Sequence, residues 1–142
     1  MTEQSKWINQ LLADIQAAPT AEGIRLLENC GGGCARRCGH LEGILQLRRT
    51  AKDCKTVKDS IRFLKEHLGA NIEETPDGFI MSLGKSACTC PMAPEVASPA
   101  LCNCTCGHEK ALWSAFFGKN VDVQIVESLL RGGKDCVIRV RV

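Results

Sequence analysis

Ten cysteines are spread over 142 residues in two groups, and a chain with so many thiols must pair them, bury them or give them to a metal. Cys30, Cys34, Cys38 and Cys54 lie in the N-terminal half. Cys88, Cys90, Cys102, Cys104, Cys106 and Cys136 lie in the C-terminal half. Two stretches, Cys88-Thr89-Cys90 and Cys102-Asn103-Cys104-Thr105-Cys106, place cysteines two residues apart. An extended chain points such neighbours to opposite faces, so they pair badly with each other. Soft-metal binding and thiol chemistry suit them better.

The N-terminus, Met1-Thr2-Glu3-Gln4-Ser5-Lys6, has no apolar signal-peptide core, and no apolar run is long enough to span a bilayer. The thiols are therefore expected to meet a reducing cytoplasm, where metal or redox roles outrank a disulfide framework. The length allows one domain, residues 1–142, with a helical half at 1–69 and a β-rich half at 70–142. A net charge of +2 does not call for a nucleic-acid or membrane partner. One stretch is locally basic, with Arg36, Arg37, Arg48, Arg49, Lys52, Lys55, Lys58, Arg62 and Lys65. It reads as a solvated helical face, because no aromatic residue interleaves with it to stack on bases.

The first half has helical periodicity. Trp7, Ile8, Leu11, Leu12 and Ile15 recur at helical spacing, and Pro19 with Thr20 ends that segment. A short helix is expected over 21–28, then a turn at Gly31-Gly32-Gly33, because glycine disfavours helix interiors. A helix should resume near Cys34 and run, with a break at Gly39, toward Lys52. Val57, Ile61, Leu64 and Leu68 mark an amphipathic helix between a Thr56 cap and a Gly69 stop. The second half changes period. Pro76-Asp77-Gly78 separates two short strands, 71–75 and 79–83, and an irregular loop is expected over 84–99. A helix over 109–117 precedes alternating strands around Val121–Ile125 and Ile138–Val142, with a turn at Arg131–Lys134. The order predicts an α+β fold: N-terminal helices, then a mostly antiparallel four-stranded sheet with an intervening helix.

The C-terminal thiols are the stronger metal candidates. Cys102, Cys104, Cys106 and Cys136 form the expected ligand set, with Cys88, Cys90, His108 and Glu127 as further donors. Convergence of the first three needs a bent loop, which Gly107 and the nearby prolines would permit. Zinc is the expected ion; an iron–sulfur cluster fits less well, because its usual cysteine spacings are absent. The N-terminal set, Cys30-x₃-Cys34-x₃-Cys38-Gly39-His40, would form a thiol stripe on a continuous helix. Arg36 and Arg37 beside it favour thiolate, so Cys30, Cys34, Cys38 and His40 are the candidate catalytic residues. His40 and His108 each follow a Cys-Gly pair.

The segment from Cys102 through Trp113 and Val123 to Cys136 and Val140 resembles the C-terminal part of the 4-vinyl reductase domain family. Members end in a similar order: a Cys-containing segment, a helix, a strand, and a glycine turn before a Cys that begins the last strand. The resemblance covers roughly the last forty residues and its motif is loose. It implies an α+β ligand-binding fold, small-molecule sensing in prokaryotic regulators, and a zinc site near the pocket in some members. Cys102 and Cys136 match the first and last thiol ligands of those members, whereas Ser128 stands where they have another Cys. Glu127, Cys104 or Cys106 could supply the missing donor.

The leading expectation is a cytoplasmic, zinc-binding, small-molecule or redox sensing or accessory domain, more a binding protein than an enzyme. A homodimer or a regulatory protein partner would carry its output. The alternative is a cysteine-dependent enzyme, a hydrolase or thiol redox protein, that uses the N-terminal cluster. A Cys-rich metal carrier is the third reading.

Overall fold

Three threonines set where helices begin. The computed structural model describes residues 2–84, 95, 96 and 98–142, and its N-terminal half forms α1 (Glu3–Ala17), α2 (Ala21–Arg37), α3 (His40–Thr50) and α4 (Val57–Leu68). Thr2, Thr20 and Thr56 precede α1, α2 and α4 with extended backbones, and each hydroxyl accepts a hydrogen bond from the amide three residues on. Each cap satisfies one of the amides that a helix start leaves without an intrahelical partner. Gly69 follows α4 as the stop its sequence position suggests.

The triple glycine is not a turn. Gly31, Gly32 and Gly33 lie inside α2, which is continuous from Ala21 to Arg37. Their intrinsic cost, about 1 kcal/mol each relative to alanine, is offset by tertiary packing. The same packing extends the C-terminal helix: α5 spans Leu101–Phe117, so Cys102 to Gly107 are helical rather than looped.

The sheet comprises β1 (Ile72–Thr75), β2 (Gly78–Gly84), β3 (Asp122–Glu127) and β4 (Cys136–Arg141). The chain is thus α+β, with its helices mostly N-terminal to a four-stranded antiparallel sheet. Strand order is β1-β2-β4-β3, so the two hairpins join through β2 and β4. Phe79 lies opposite Val140, and Met81 opposite Ile138, along that seam. Phe79, Ile138 and Val140 are fully buried. They share a core with Trp113 and Phe116 of α5 and with Ile61 and Leu64 of α4. The Trp113 ring meets Phe79 edge-on at 5.1 Å.

A smaller core joins α1, α2, the segment before α5 and the first residue of α5 through Leu12, Leu27, Val96, Ala100 and Leu101. Of the apolar residues of α1, Leu12 is buried and Ile8 and Ile15 pack beside it, whereas Trp7 and Leu11 are exposed. Among the described residues, no helix is long and apolar enough to cross a membrane.

Candidate metal centre

Helices α2 and α5 cross with backbone against backbone. A Cβ at Gly31 would overlap the Cys104 carbonyl oxygen and lie 2.7 Å from the His108 nitrogen. A Cβ at Gly107 would overlap the Glu28 carbonyl oxygen. Only glycine fits at such an approach, and it holds the two helices at minimal separation. Cys34 follows Gly31 by one helical turn and Cys38 by two, while His108 follows Gly107 directly. The crossing therefore aims three donors at one point. One donor atom from each of Cys34, Cys38 and His108 lies within 4.8 Å of the other two.

A fourth group arrives through a turn. Cys38 caps α2, donating its amide hydrogen to the Cys34 carbonyl, and Gly39 adopts a φ of 85° to start α3. That left-handed conformation suits glycine, and it returns the chain so that His40 Nδ1 lies 3.0 Å from His108 Nε2. The two rings meet edge to face at 5.1 Å.

Burial, with a smaller contribution from His40, pushes the His108 pKa below its ordinary value of 6.5. At neutral pH its imidazole therefore keeps a lone pair for a metal or a proton. Cys38 is exposed while Cys34 and His108 are half-buried, so the cluster opens to solvent. Two thiolates would neutralise a divalent ion, and the imidazole would add a third borderline-soft donor. A metal at His108 Nδ1 would leave Nε2–H to donate to His40, the usual supporting bond of a metal-bound histidine. A metal at Nε2 would instead bring His40 within reach as a fourth donor.

The remaining thiols have other surroundings. On α5, Cys102 and Cys106 are one turn apart and both buried. The Cys102 thiol donates to Ser128 Oγ at 3.2 Å, and the Cys106 thiol to the Val123 carbonyl at 3.0 Å. Burial, aided by the negative charges of Glu28 and Asp122, pushes the Cys106 thiol up to about 11. It stays protonated and acts as a packing residue that bonds α5 to β3. Cys104, half-buried, is two residues from each and so turned away from both on a helix.

Cys136 opens β4 and shares a cavity of about 20 Å³ with Cys102, Glu127 and Ser128, little more than one water would fill. Glu127 also accepts the Lys134 amide at 2.7 Å and so fastens the turn before β4. Among the described residues, Cys102, Cys104, Cys106 and Cys136 do not gather three donors as closely as Cys34, Cys38 and His108 do. The helical course of α5 is the reason, because it replaces the bent loop that convergence would need.

Cys30 is exposed and outside the three-donor set, and the Cys54 thiol donates to the Asp59 carbonyl at 3.7 Å. Cys88 and Cys90 lie outside the described residues. No disulfide forms among the described residues.

The pairing of Cys34 and Cys38 with His108 joins residues that the two sequence groups keep apart. The repeated Cys-Gly-His, at 38–40 and 106–108, is the signal that could have connected them. Beside the cluster, Glu109 is buried within α5 and accepts the Trp113 indole N–H at 3.0 Å. Burial pushes its carboxyl up to about 7, a rise that the indole bond opposes.

No curated protein matches the chain. The model of DUF6144, a family of unknown function, matches residues 1–142. The protein belongs to the DUF6144 family.

Proposed function

We propose that this protein binds a soft divalent metal ion, zinc foremost, through Cys34, Cys38 and His108, and serves as a cytoplasmic sensing or accessory protein. The observation that carries this reading is the convergence of two thiols and an imidazole from α2 and α5 within 4.8 Å. Three donors are too few for an iron–sulfur cluster held by cysteines alone and suit a four-coordinate ion with one exchangeable position. The exposure of Cys38 fits a site that exchanges its ion or takes an outside ligand at that position. The reading moves the expected metal site from the C-terminal thiols to the N-terminal pair, with His108 retained.

Protein purified under reducing conditions should hold one zinc ion per chain by elemental analysis. Cobalt substitution should give the intense near-ultraviolet thiolate-to-cobalt absorption. Cys34→Ser, Cys38→Ser and His108→Ala should each abolish stoichiometric binding. His40→Ala should weaken it by roughly 10- to 100-fold, as expected for loss of a supporting hydrogen bond. Cys102→Ser and Cys136→Ser should leave binding intact. Metal-free protein with no cobalt–thiolate band, or metal lost on replacing Cys102 or Cys136 alone, would refute the assignment.

A second reading uses the same residues as a nucleophile and its base. His108, held neutral and hydrogen-bonded to His40 at 3.0 Å, can take a proton from a neighbouring thiol. Iodoacetamide labelling of metal-free protein separates the two readings. One fast thiol, slowed in His108→Ala, supports the enzyme; uniform slow labelling leaves metal binding alone.

A further inference from the structure

Part of the basic stretch borders a cavity. Four of its side chains, Arg48, Arg49, Lys52 and Lys55, line an open cavity of about 520 Å³ where the ends of α3 and α5 meet the start of α4. That volume lies in the range of small-molecule sites. No acidic residue is among the described residues that line it. Its wall is apolar where α5 ends, at the half-buried Phe117 backed by the buried Phe116, and Val57 adds an exposed aliphatic surface. The two phenyl rings meet edge to face at 5.0 Å.

The cations are arranged differently from one another. The Arg48 guanidinium donates to the Ala115 carbonyl at 2.9 Å, which anchors it at the C-terminal end of α5 and leaves its other N–H groups available. Arg49 makes a long, exposed ion pair with Glu42 at 3.5 Å, a contact worth little in water. Lys52 and Lys55 are exposed on the same rim. The first turn of α4 borders the cavity through Ser60.

We propose that this cavity binds a small organic anion, with an apolar body against Phe117 and Val57 and a phosphate-like head among the four cations. A bare inorganic anion would leave Phe117 and Val57 in water, and a neutral apolar molecule would leave the cations unused. The site is separate from the metal cluster. Phe116 follows His108 by eight residues of α5, about 12 Å along the helix axis.

Calorimetric titration of the full chain with 1-naphthyl phosphate tests the proposal, with inorganic phosphate and 1-naphthol as the head-only and body-only probes. The naphthyl phosphate should bind once per chain, at least roughly tenfold more tightly than either half. Its affinity should fall as salt rises, because the head is read by exposed charges. The double variant Lys52→Glu/Lys55→Glu should lose at least roughly tenfold in affinity, and Lys52→Gln/Lys55→Gln an intermediate amount. Both lysines are exposed, so circular dichroism and the melting curve should match the parent. Unchanged affinity in the charge-reversed variant, naphthol binding as tightly as its phosphate, or no saturable binding of the probe would each overturn it. Removing Cys34 should leave the titration unaltered, so this result and that of the metal test are independent.

Discussion

Gly31→Ala is expected to destabilise the fold by about 3 kcal/mol or more, although the same exchange at a neighbouring glycine should stabilise it. The added methyl at Gly31 overlaps the Cys104 carbonyl oxygen, which is backbone and cannot rotate away. α2 and α5 must then separate, and among the described residues they form the most extensive helix–helix contact. Gly107→Ala meets the Glu28 backbone from the opposite side and should cost as much. Gly32 differs: its added methyl would lie 3.9 Å from Arg36 and 4.0 Å from Ala111, ordinary contact distances. Gly32→Ala should therefore gain about 0.5–1 kcal/mol by lowering the entropy of the unfolded chain. Urea unfolding of the three variants checks the contrast. Equal effects at Gly31 and Gly32 would show that the close crossing is not formed. A parallel readout comes from the proposed metal site, because Gly31→Ala should also lower cobalt affinity by moving Cys34 and Cys38 from His108.

Glu109→Gln should stabilise the protein by about 3 kcal/mol at pH 8 and by almost nothing at pH 4. The Glu109 carboxyl ionises near 7 in the folded state against 4.5 for an unburied group, because burial penalises the charge. The native state then binds this proton more tightly than the unfolded chain does. Its contribution to stability is greatest below 4.5 and falls as pH rises through the window to about 7. Glutamine keeps an oxygen to accept the Trp113 indole N–H and removes the ionisation. Denaturation of metal-free parent and variant at several pH values measures the difference, which should open across that window; a difference independent of pH would refute it. His108 acts in the opposite sense. Its depressed pKa means that the unfolded chain takes up the proton first, so stability from this residue falls as pH drops below 6.5. Because Glu109→Gln leaves His108 in both proteins, the comparison isolates the carboxyl.

Much of the architecture was legible from local chemistry. Thr56 and Gly69 bound α4 where a hydroxyl cap and a glycine stop predict. Pro76 and Asp77 separate β1 from β2, which Gly78 begins, and the period-two stretches around Val123 and Ile138 form β3 and β4. These features are local because caps and turns satisfy backbone groups within a few residues. The glycine triplet was misleading for the same reason. Propensity correctly assigns three glycines a cost in a helix, but it cannot register that Gly31 is the point where α5 lies against α2.

The candidate site divides along that line. The sequence by itself determined the donor chemistry: thiols four residues apart at Cys34 and Cys38, imidazoles at His40 and His108, and an excess of cysteine suited to a soft ion. It also determined the α+β order and the basic stretch that includes Arg48 and Lys52. Only the tertiary structure decided which donors meet. The backbone crossing at Gly31 and Gly107 brings His108 to Cys34 and Cys38, while the helical course of α5 buries Cys102 and Cys106 against β3 and Ser128. The physical reason is that such contacts join residues far apart in sequence, and their geometry is set by how closely two helices can approach, which no local pattern encodes.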